Sequence, residues 1–338
     1  MRARAGWDGT AVIVLVVGGA GYIGSATCGA LLEAGHEVTV LDDLSTGHRA
    51  AVPEAAKLVV GSSADTDLVD RLFSSQRFDV VMDFAALIEA GESMTVPERY
   101  FRNNVANALS VVEATLRHDV ERFVFSSSAA VYGDPRDAPV KEDSPLEPTN
   151  AYGESKLIFE TMLRWMHRVH GIRVGVLRYF NAAGAGSVDN GEDHRPESHL
   201  IPLVLQCALG KTETVAIYGT DYDTPDGTCI RDYVHVADLA SAHVLAMHAL
   251  DEGGMLTYNL GSGSGFSVRE VIDAARAVTS APISVTEQPR RPGDPAVLVA
   301  SADAIRDELG WKPRHVLLAE IVESAWRWHT RHPQGFPD

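Results

Sequence analysis

A tyrosine and a lysine four residues apart, Tyr152 and Lys156 in the stretch YGESK, are well placed for acid–base chemistry. A helix start is predicted just before them, at PTNAY, and residues at i and i+4 lie on one helix face. A phenol has a reference pKa of about 10, and lowering it to about 7 requires about 4 kcal/mol. A nearby ammonium supplies an energy of that order at an effective dielectric constant of about 20. Tyr152 can therefore accept a proton only if Lys156 and a further positive charge are close.

A run of serines upstream of this pair ends an apolar segment. In FSSSAAVYG, residues 125–133, Ser128 is predicted to lie at the carboxyl end of a buried strand, where open α/β sheets present their sites. At that position its hydroxyl can hydrogen-bond the reacting oxygen and relay a proton to Tyr152. The alternative role for Ser128 is that of a helix N-cap or turn residue.

A glycine-rich turn near the start of the chain predicts a dinucleotide site. Gly18, Gly21 and Gly24 in GGAGYIG follow the apolar run AVIVLVV. Such glycines permit a tight turn, close approach of the backbone to a pyrophosphate and close helix–strand packing, and the following helix start attracts anions. Asp42 ends the next predicted strand, where a carboxylate can accept hydrogen bonds from ribose hydroxyls and repel a 2′-phosphate. The pattern favours NAD over NADP, with Asp43 as a second acceptor.

Alternating strand and helix patterns must position these groups. Strands are predicted at 11–17, 37–43, 79–87, 122–133 and 173–184, with helices between them, the first of which is predicted over 25–35. Repeated βα units of this length predict an α/β fold, a Rossmann-like doubly wound parallel sheet with right-handed crossovers.

After about residue 185 Gly, Pro, Asp and His become dense, which indicates a smaller C-terminal substrate-binding lobe. We predict a NAD-binding domain over residues 1–184, to which the chain returns over about 229–262. Residues 185–338 are predicted to form mainly the substrate-binding lobe.

Composition and charge restrict the partners of this 338-residue chain. Its net charge of −17 argues against nucleic acid or an anionic membrane as a partner. The apolar run after the basic N-terminus has seven residues and is predicted to be a strand rather than a signal sequence or membrane span. Three widely spaced cysteines are typical of reduced thiols in a cytoplasmic protein. No metal site is predicted, because the histidines form no His-Glu-x-x-His pattern.

Taken together, GGAGYIG, Asp42, SSSAAVYG and YGESK resemble the extended short-chain dehydrogenase/reductase superfamily. Further stretches reaching almost to the end are similar to the sugar-nucleotide 4-epimerases of that superfamily, which interconvert UDP-glucose and UDP-galactose. These stretches are FAALIEAGES, RYFNAAGA, HLIPL, GTCIRDYVHVADLA, YNLGSG, PRRPGDPA and RHPQGFPD. The resemblance implies an isomerase of galactose metabolism that is a cytoplasmic homodimer, pairing through helices near 101–118 and 152–170.

The resemblance also implies which residues bind NAD and the UDP-sugar. Residues implied for NAD are Gly18, Gly21, Tyr22, Ile23, Gly24, Asp42, Asp43, Phe84, Ala85, Ala86, Asn103, Tyr152, Lys156 and Tyr179, with Ser62 and Ser63 at the adenine end. Residues implied for the sugar nucleotide are Ser128, Asn181, His199, Leu200, Tyr218, Arg231, Arg291, Asp294 and Leu298. The arginines also fit on chemical grounds, because a pyrophosphate prefers bidentate cationic partners.

The implied reaction uses Tyr152, Lys156 and Ser128 as catalytic residues. Tyr152 removes the proton of the sugar 4-hydroxyl while a hydride passes from C4 to NAD, which gives a 4-keto sugar. The ring then turns over and the same hydride returns to its other face, so no net redox change occurs.

Several positions depart from the family pattern. Val17 and Ala26 stand where Thr and His are usual, and Ile88 stands where some members carry a lysine that contacts NAD. Ser62 and Ser63 replace the aspartate that meets the adenine, which leaves that contact and the tightness of NAD binding open.

Three alternative functions differ in the residues that they require. A nucleotide-sugar 4,6-dehydratase needs an acid after the serine, but Ala129 and Ala130 stand there. A non-catalytic NAD-binding regulator would lack the serine, tyrosine or lysine, and all three are present. Epimerisation of UDP-N-acetylhexosamines or UDP-pentoses stays open, because Leu298, aligned with the position that gates the acetamido group, is of intermediate size.

Overall fold

The structure, a computed structural model, describes residues 10–291 and 293–337. Residues 1–9 of the predicted first domain, and Pro292 and Asp338 of the predicted lobe, lie outside this description. The strands are β1 (Ile13–Val17), β2 (Glu37–Asp42), β3 (Lys57–Val60), β4 (Val80–Asp83), β5 (Arg122–Ser128), β6 (Arg173–Tyr179), β7 (Asn181–Ala183), β8 (Val215–Tyr218), β9 (Ile230–His235), β10 (Met255–Leu260), β11 (Gly265–Ser267), β12 (Val285–Gln288) and β13 (Val297–Leu298).

The helices connect these strands in the alternating pattern expected of βα units. They are α1 (Tyr22–Glu33), α2 (Thr66–Ser75), α3 (Ala90–Ser93), α4 (Pro97–Phe101), α5 (Ala108–Arg117), α6 (Ala151–His170), α7 (Leu200–Ala208), α8 (Val236–Ala249), α9 (Val268–Thr279), α10 (Asp303–Leu309) and α11 (Leu318–Arg331). A π-helical stretch joins α4 to α5. Among the described helices, none is both long and apolar enough to cross a membrane.

Seven parallel strands form the main sheet, in the order β10-β6-β5-β4-β1-β2-β3. The strand order reverses between β1 and β4, which is the position where doubly wound sheets open a crevice at their carboxyl edge. The Rossmann-like α/β prediction is confirmed. The sheet places the ends of β1, β2, β4 and β5 around one site.

The central strand β1 shows why the sequence folds in this way. Its residues Val14 and Val16 contact one apolar core, with α1 and α8, whereas Leu15 and Val17 contact the other, with α2, α5 and α6. Strands buried on both faces have continuous apolar sequences instead of alternating ones, as IVLVV does.

The C-terminal half contributes a smaller lobe with its own core. Strands β7, β9, β11 and β13 form a four-stranded sheet, and β8 pairs with β12. Helices α7, α9 and α11 pack together over a third apolar cluster. Within the predicted returning segment 229–262, β9 belongs to the small sheet while α8 and β10 belong to the main body. The exact domain boundaries stay a prediction.

Some predicted boundaries were wrong. The first helix begins at Tyr22 instead of Ser25, because Gly21 has extended backbone angles and acts as the N-cap. The strand predicted over 122–133 ends at Ser128 and continues as a 3₁₀ turn. The strand predicted over 173–184 divides after Tyr179, and β7 joins the smaller sheet instead of the main one.

Candidate active site

A cavity of about 690 Å³ opens at the carboxyl edge of the main sheet. This volume lies within the range of small-molecule and cofactor sites. Every residue that the sequence associated with NAD lines this cavity: Gly18, Gly21, Tyr22, Ile23, Gly24, Asp42, Asp43, Ser62, Ser63, Phe84, Ala85, Ala86, Asn103, Tyr152, Lys156 and Tyr179.

The glycine loop makes a cradle that side chains would fill. Gly18 has a φ of +77°, and a Cβ there would lie 2.6 Å from the backbone nitrogen of Ala85. A Cβ on Gly24 would lie 2.2 Å from the carbonyl oxygen of Gly18, so this glycine lets α1 pack against the turn. Gly21 caps α1, whose first N–H groups are free of side-chain caps. Such a turn fits a pyrophosphate at the helix N-terminus.

Asp42 ends β2 beside this loop and is held by backbone donors. Its Oδ2 accepts a hydrogen bond from Ala20 N at 2.9 Å, and its Oδ1 accepts one from Leu44 N at 2.9 Å. Burial raises the pKa of Asp42, and these two hydrogen bonds oppose the rise. Each carboxylate oxygen keeps a second lone pair for a ribose hydroxyl. The residues at this end of the cavity therefore fit a dinucleotide.

The adenine end differs from the family pattern, as the sequence indicated. Ser62 and Ser63 both line the cavity. The Oγ of Ser62 accepts a hydrogen bond from Ala64 N at 3.2 Å, so this side chain stabilises its own turn.

Ser128 and Tyr152 meet where β5 ends and α6 begins. Burial raises the pKa of Tyr152, and a hydrogen bond with Ser128 opposes that rise. The Ser128 Oγ also accepts a hydrogen bond from Ala130 N at 3.1 Å and caps the 3₁₀ turn. The sequence had offered these two roles as alternatives, and the geometry allows both.

Lys156 lies on the same face of α6 as Tyr152. Its Nζ is 5.9 Å from the centroid of the Tyr152 ring and donates to the Ser126 carbonyl oxygen at 2.8 Å. Burial lowers the pKa of Lys156 to about 8, against the opposing charges of Asp83 and Glu160. The ammonium therefore keeps its charge at neutral pH and acts on the tyrosine through space.

A buried network behind this pair was missed by sequence reasoning. Glu160, one turn after Lys156, accepts hydrogen bonds from Arg178 Nη2 at 2.6 Å and Nε at 2.9 Å. The Ser127 hydroxyl also donates to Glu160, at 2.5 Å. Arg178 lies in β6, far away in sequence, so local spacing carried no signal of the pairing. The network fixes α6 against β5 and β6.

The residues predicted for the sugar nucleotide fall into two groups. Ser128, Asn181, His199 and Leu200 line the cavity. The others are not among its lining residues but lie together in the smaller lobe: Tyr218, Arg231, Arg291, Asp294 and Leu298.

Within this second group, one pair of residues is joined by an ion pair and another by stacking of a guanidinium on a ring. Arg231 forms an ion pair with Asp294, and the Arg291 guanidinium carbon lies 4.0 Å from the centroid of the Tyr218 ring. Leu298 in β13 pairs in register with Arg231 in β9. The pairing of an arginine with Asp294 was not foreseen from the sequence.

A cluster of two carboxylates and two imidazoles forms part of the cavity wall. Of its members, only His199 was singled out from the sequence; Glu192, His194 and Glu197 were missed. The available signal was the pattern Glu-x-His-x-x-Glu-x-His over 192–199. The neighbouring carboxylates of Glu192 and Glu197 oppose the effect of burial on His194 and raise its pKa to about 10. The absence of a metal site stays a prediction, because ligand-type atoms of all four side chains lie within 4.8 Å of one another.

Comparison with known proteins agrees with the architecture. Residues 14–261 match the NAD dependent epimerase/dehydratase family. The chain is 50% identical over 325 residues to a UDP-glucose 4-epimerase of Halalkalibacterium halodurans, covering 96% of this chain and 97% of the relative. It is 50% identical over 327 residues to a UDP-glucose 4-epimerase of Streptomyces lividans, covering 96% and 98%.

Solved structures are similar over the same extent. A UDP-glucose 4-epimerase of Bifidobacterium longum, solved with NAD⁺ and UDP, superposes with a TM-score of 0.92 at 39% identity, covering 96% of this chain and 100% of that one. Another UDP-glucose 4-epimerase structure gives a TM-score of 0.94 at 47% identity, with coverage of 96% and 100%. With its glycine cradle, its serine–tyrosine–lysine site and this match, the chain belongs to the NAD dependent epimerase/dehydratase family.

Proposed function

We propose that this protein is an NAD-dependent UDP-glucose 4-epimerase, which interconverts UDP-glucose and UDP-galactose through a transient 4-keto sugar. The observation that carries the proposal is the meeting of Ser128, Tyr152 and Lys156 in the cavity that the glycine loop also lines. This arrangement joins a proton acceptor to a dinucleotide cradle. The identity of about 50% to epimerases over nearly the whole chain supports the same activity.

In this proposal Tyr152 holds and moves the proton of the sugar 4-hydroxyl. Ser128 positions the reacting oxygen through the hydrogen bond that it shares with Tyr152. Lys156 stabilises the phenolate by its charge, since its Nζ bonds to the Ser126 carbonyl oxygen instead of Tyr152. NAD bound in the cleft supplies reversible hydride exchange with the substrate carbon.

The arginine-rich group of the smaller lobe would anchor the nucleotide end of the substrate. Arg231 and Arg291 offer the planar cationic groups that suit a pyrophosphate, and Asp294 offers a carboxylate for ribose hydroxyls. Because Arg231 and Asp294 already pair with each other, binding would redirect at least one hydrogen bond of the pair. Firm anchoring at this end leaves the sugar free to turn.

Acceptance of N-acetylated sugars is a second candidate that one observation favours. Leu298 packs against an apolar cluster that includes Ala129 and Phe180, and Ala129 directly follows Ser128 at the end of β5. Its size therefore acts near the proposed sugar site, as the sequence comparison implied. Related structures include an epimerase of Campylobacter jejuni described as acting on both UDP-Glc and UDP-GlcNAc.

We also propose that the protein is a cytoplasmic homodimer. Trp165 and Val169 are exposed apolar residues on the helix α6 that the sequence associated with pairing. Two exposed apolar side chains four residues apart on one helix face suit contact with a partner. The three cysteines, all free and buried, suit a reducing compartment.

The test uses purified protein supplied with UDP-galactose and no added NAD. We expect UDP-glucose to form, because the hydride returns to the substrate and the cofactor is not consumed. Tyr152→Phe should lower the rate by about 10²- to 10⁴-fold, the usual contribution of a general base, while NAD stays bound. The matched control is Tyr258→Phe, whose hydroxyl bonds to Glu308 outside the cavity lining. Near-wild-type turnover of Tyr152→Phe would refute the assignment of the base.

A further inference from the structure

One short loop brings two carboxylates and two imidazoles around a single point. The segment 192–199, which precedes α7, has the pattern Glu-x-His-x-x-Glu-x-His. One ligand-type atom of each side chain lies within 4.8 Å of all the others. We call this set the 192–199 cluster; it consists of Glu192, His194, Glu197 and His199.

Three of the four separations between an imidazole nitrogen and a carboxylate oxygen lie within about 0.5 Å of the edge of a metal coordination tetrahedron. Bonds of about 2.1 Å from zinc to nitrogen and oxygen place tetrahedral ligands about 3.4 Å apart. The Nδ1 of His194 lies 3.3 Å from Glu192 Oε1 and 3.8 Å from Glu197 Oε1. The Nδ1 of His199 lies 3.9 Å from the same oxygen of Glu197 and 2.5 Å from Glu192 Oε1. Only the last edge is short, and a bound ion would lengthen it.

Burial and charge also favour a cation at this point. The side chains of Glu192 and Glu197 are only 4% and 5% exposed, and buried carboxylates require compensation. One divalent ion would balance both carboxylates, and the imidazole nitrogens would then bind the ion instead of protons. In addition, the Nδ1 of His194 is buried and makes no hydrogen bond of good geometry.

The orientation of Glu197 is fixed independently of the other three side chains. Its Oε1 accepts hydrogen bonds from the backbone N–H groups of Ser198 at 2.8 Å and His199 at 2.9 Å. These bonds orient the carboxylate; because they occupy both lone pairs of Oε1, a metal ion would bind Glu197 through the other oxygen of the same carboxylate.

We propose that the 192–199 cluster binds one divalent metal ion of the zinc class, with two imidazole nitrogens and two carboxylate oxygens as ligands. This mixed nitrogen and oxygen set in tetrahedral spacing suits Zn²⁺ better than Mg²⁺ or Ca²⁺, which prefer six or more oxygens. The ion is separate from the proposed hydride chemistry.

The contacts of the loop indicate a structural role for the ion. Between the ligands, Asp193 accepts hydrogen bonds from Phe336 N at 2.9 Å and His48 Nε2 at 3.0 Å. His48 follows the Asp42 loop, and Phe336 belongs to the C-terminal segment. His199 occupies the N-cap position of α7 and lines the cavity. The ion would therefore fix the wall that joins the cofactor loop, the C-terminal segment and the substrate cavity.

The experiment titrates Zn²⁺ into the untagged, chelator-stripped protein and measures metal per chain after dialysis. We expect one equivalent for the wild type. Glu192→Gln and His194→Gln should each lower Zn²⁺ affinity by at least about 10- to 100-fold, the cost of perturbing even an outer ligand contact. The matched control is His118→Gln, which disrupts a histidine–carboxylate pair with Asp70 elsewhere and should bind as the wild type does. Equal affinity in all three variants and the wild type would overturn the proposal.

A second measurement uses the wild type alone and does not depend on the folding of variants. The zinc-edge X-ray absorption spectrum should show four nitrogen or oxygen ligands, two of them imidazoles, and no sulfur. Sulfur ligands would place the ion on cysteines, and a first shell without imidazole would place it on surface carboxylates. Either result, or the absence of stoichiometric binding, would overturn the proposal and leave the cluster an ion-pair network.

Discussion

The electrostatic role of Lys156 gives the sharpest test of the proposed proton acceptor. Its Nζ lies 5.9 Å from the Tyr152 ring centroid and donates its observed hydrogen bond to a backbone carbonyl. With the ring centroid taken as the position of the phenolate charge, unit charges 5.9 Å apart attract by about 2.8 kcal/mol at an effective dielectric constant of about 20. That energy equals about two pKa units. The lysine therefore makes the phenolate about 100-fold more accessible at a given pH.

We expect Lys156→Met to move the acidic limb of the kcat–pH profile upward by about two units. The shift is upward because the phenolate of Tyr152 loses its neighbouring cation, so a higher pH is needed to deprotonate the tyrosine. In the wild type the benefit is present at neutral pH and declines as the pH passes the Lys156 pKa of about 8. The assay measures kcat at saturating UDP-galactose and NAD across the neutral and alkaline range.

The control for this measurement is Lys141→Met, which removes an exposed lysine outside the cavity lining and should leave the profile unchanged. A Lys156→Met enzyme with reduced kcat but an unshifted limb would refute the electrostatic argument. In that case Lys156 would act only by positioning the cofactor or substrate.

Three further outcomes are expected. Gly18→Ala should abolish copurification of NAD, because φ is +77° and the new Cβ would lie 2.6 Å from a backbone nitrogen. The assay measures the nucleotide released when the protein is denatured. The control is Gly29→Ala, whose Cβ would meet nothing within 4 Å and which should retain NAD. Arg178→Met should lower the free energy of unfolding by about 3 to 5 kcal/mol in urea titration, because it leaves the Glu160 carboxylate buried and unpaired; a loss under about 1 kcal/mol would indicate a surface-like pair. Leu298→Tyr should selectively reduce turnover of UDP-N-acetylgalactosamine relative to UDP-galactose, and an unchanged ratio would show that this position is not the gate.

Local sequence features were sufficient to predict the cofactor cleft. Short stretches of sequence predicted the apolar strand β1, the glycine loop after it and the position of Asp42 at the end of β2. In the structure the glycine loop and Asp42 meet at the carboxyl edge of the sheet. The i, i+4 spacing of Tyr152 and Lys156 likewise predicted a shared helix face. These features were predictable because periodicity and turn chemistry are properties of neighbouring residues.

The first helix was placed three residues late for a related reason. Gly24 was expected to permit close packing but was placed before the helix, whereas the structure has it inside α1, packed against the carbonyl of Gly18. A glycine needed for close packing and a glycine needed for a turn look alike in sequence. Only the position of the neighbouring chain distinguishes them.

By itself, the sequence determined the doubly wound sheet, the dinucleotide loop and the residue types of the proposed catalytic set. The tertiary structure decided which side chains far apart in sequence contact one another. Glu160 meets Arg178 across α6 and β6, and Arg231 meets Asp294 across the smaller lobe. The 192–199 cluster likewise lies in a loop bonded to Phe336 through Asp193. Contacts between residues far apart in sequence depend on how whole elements pack, and no local pattern specifies that packing.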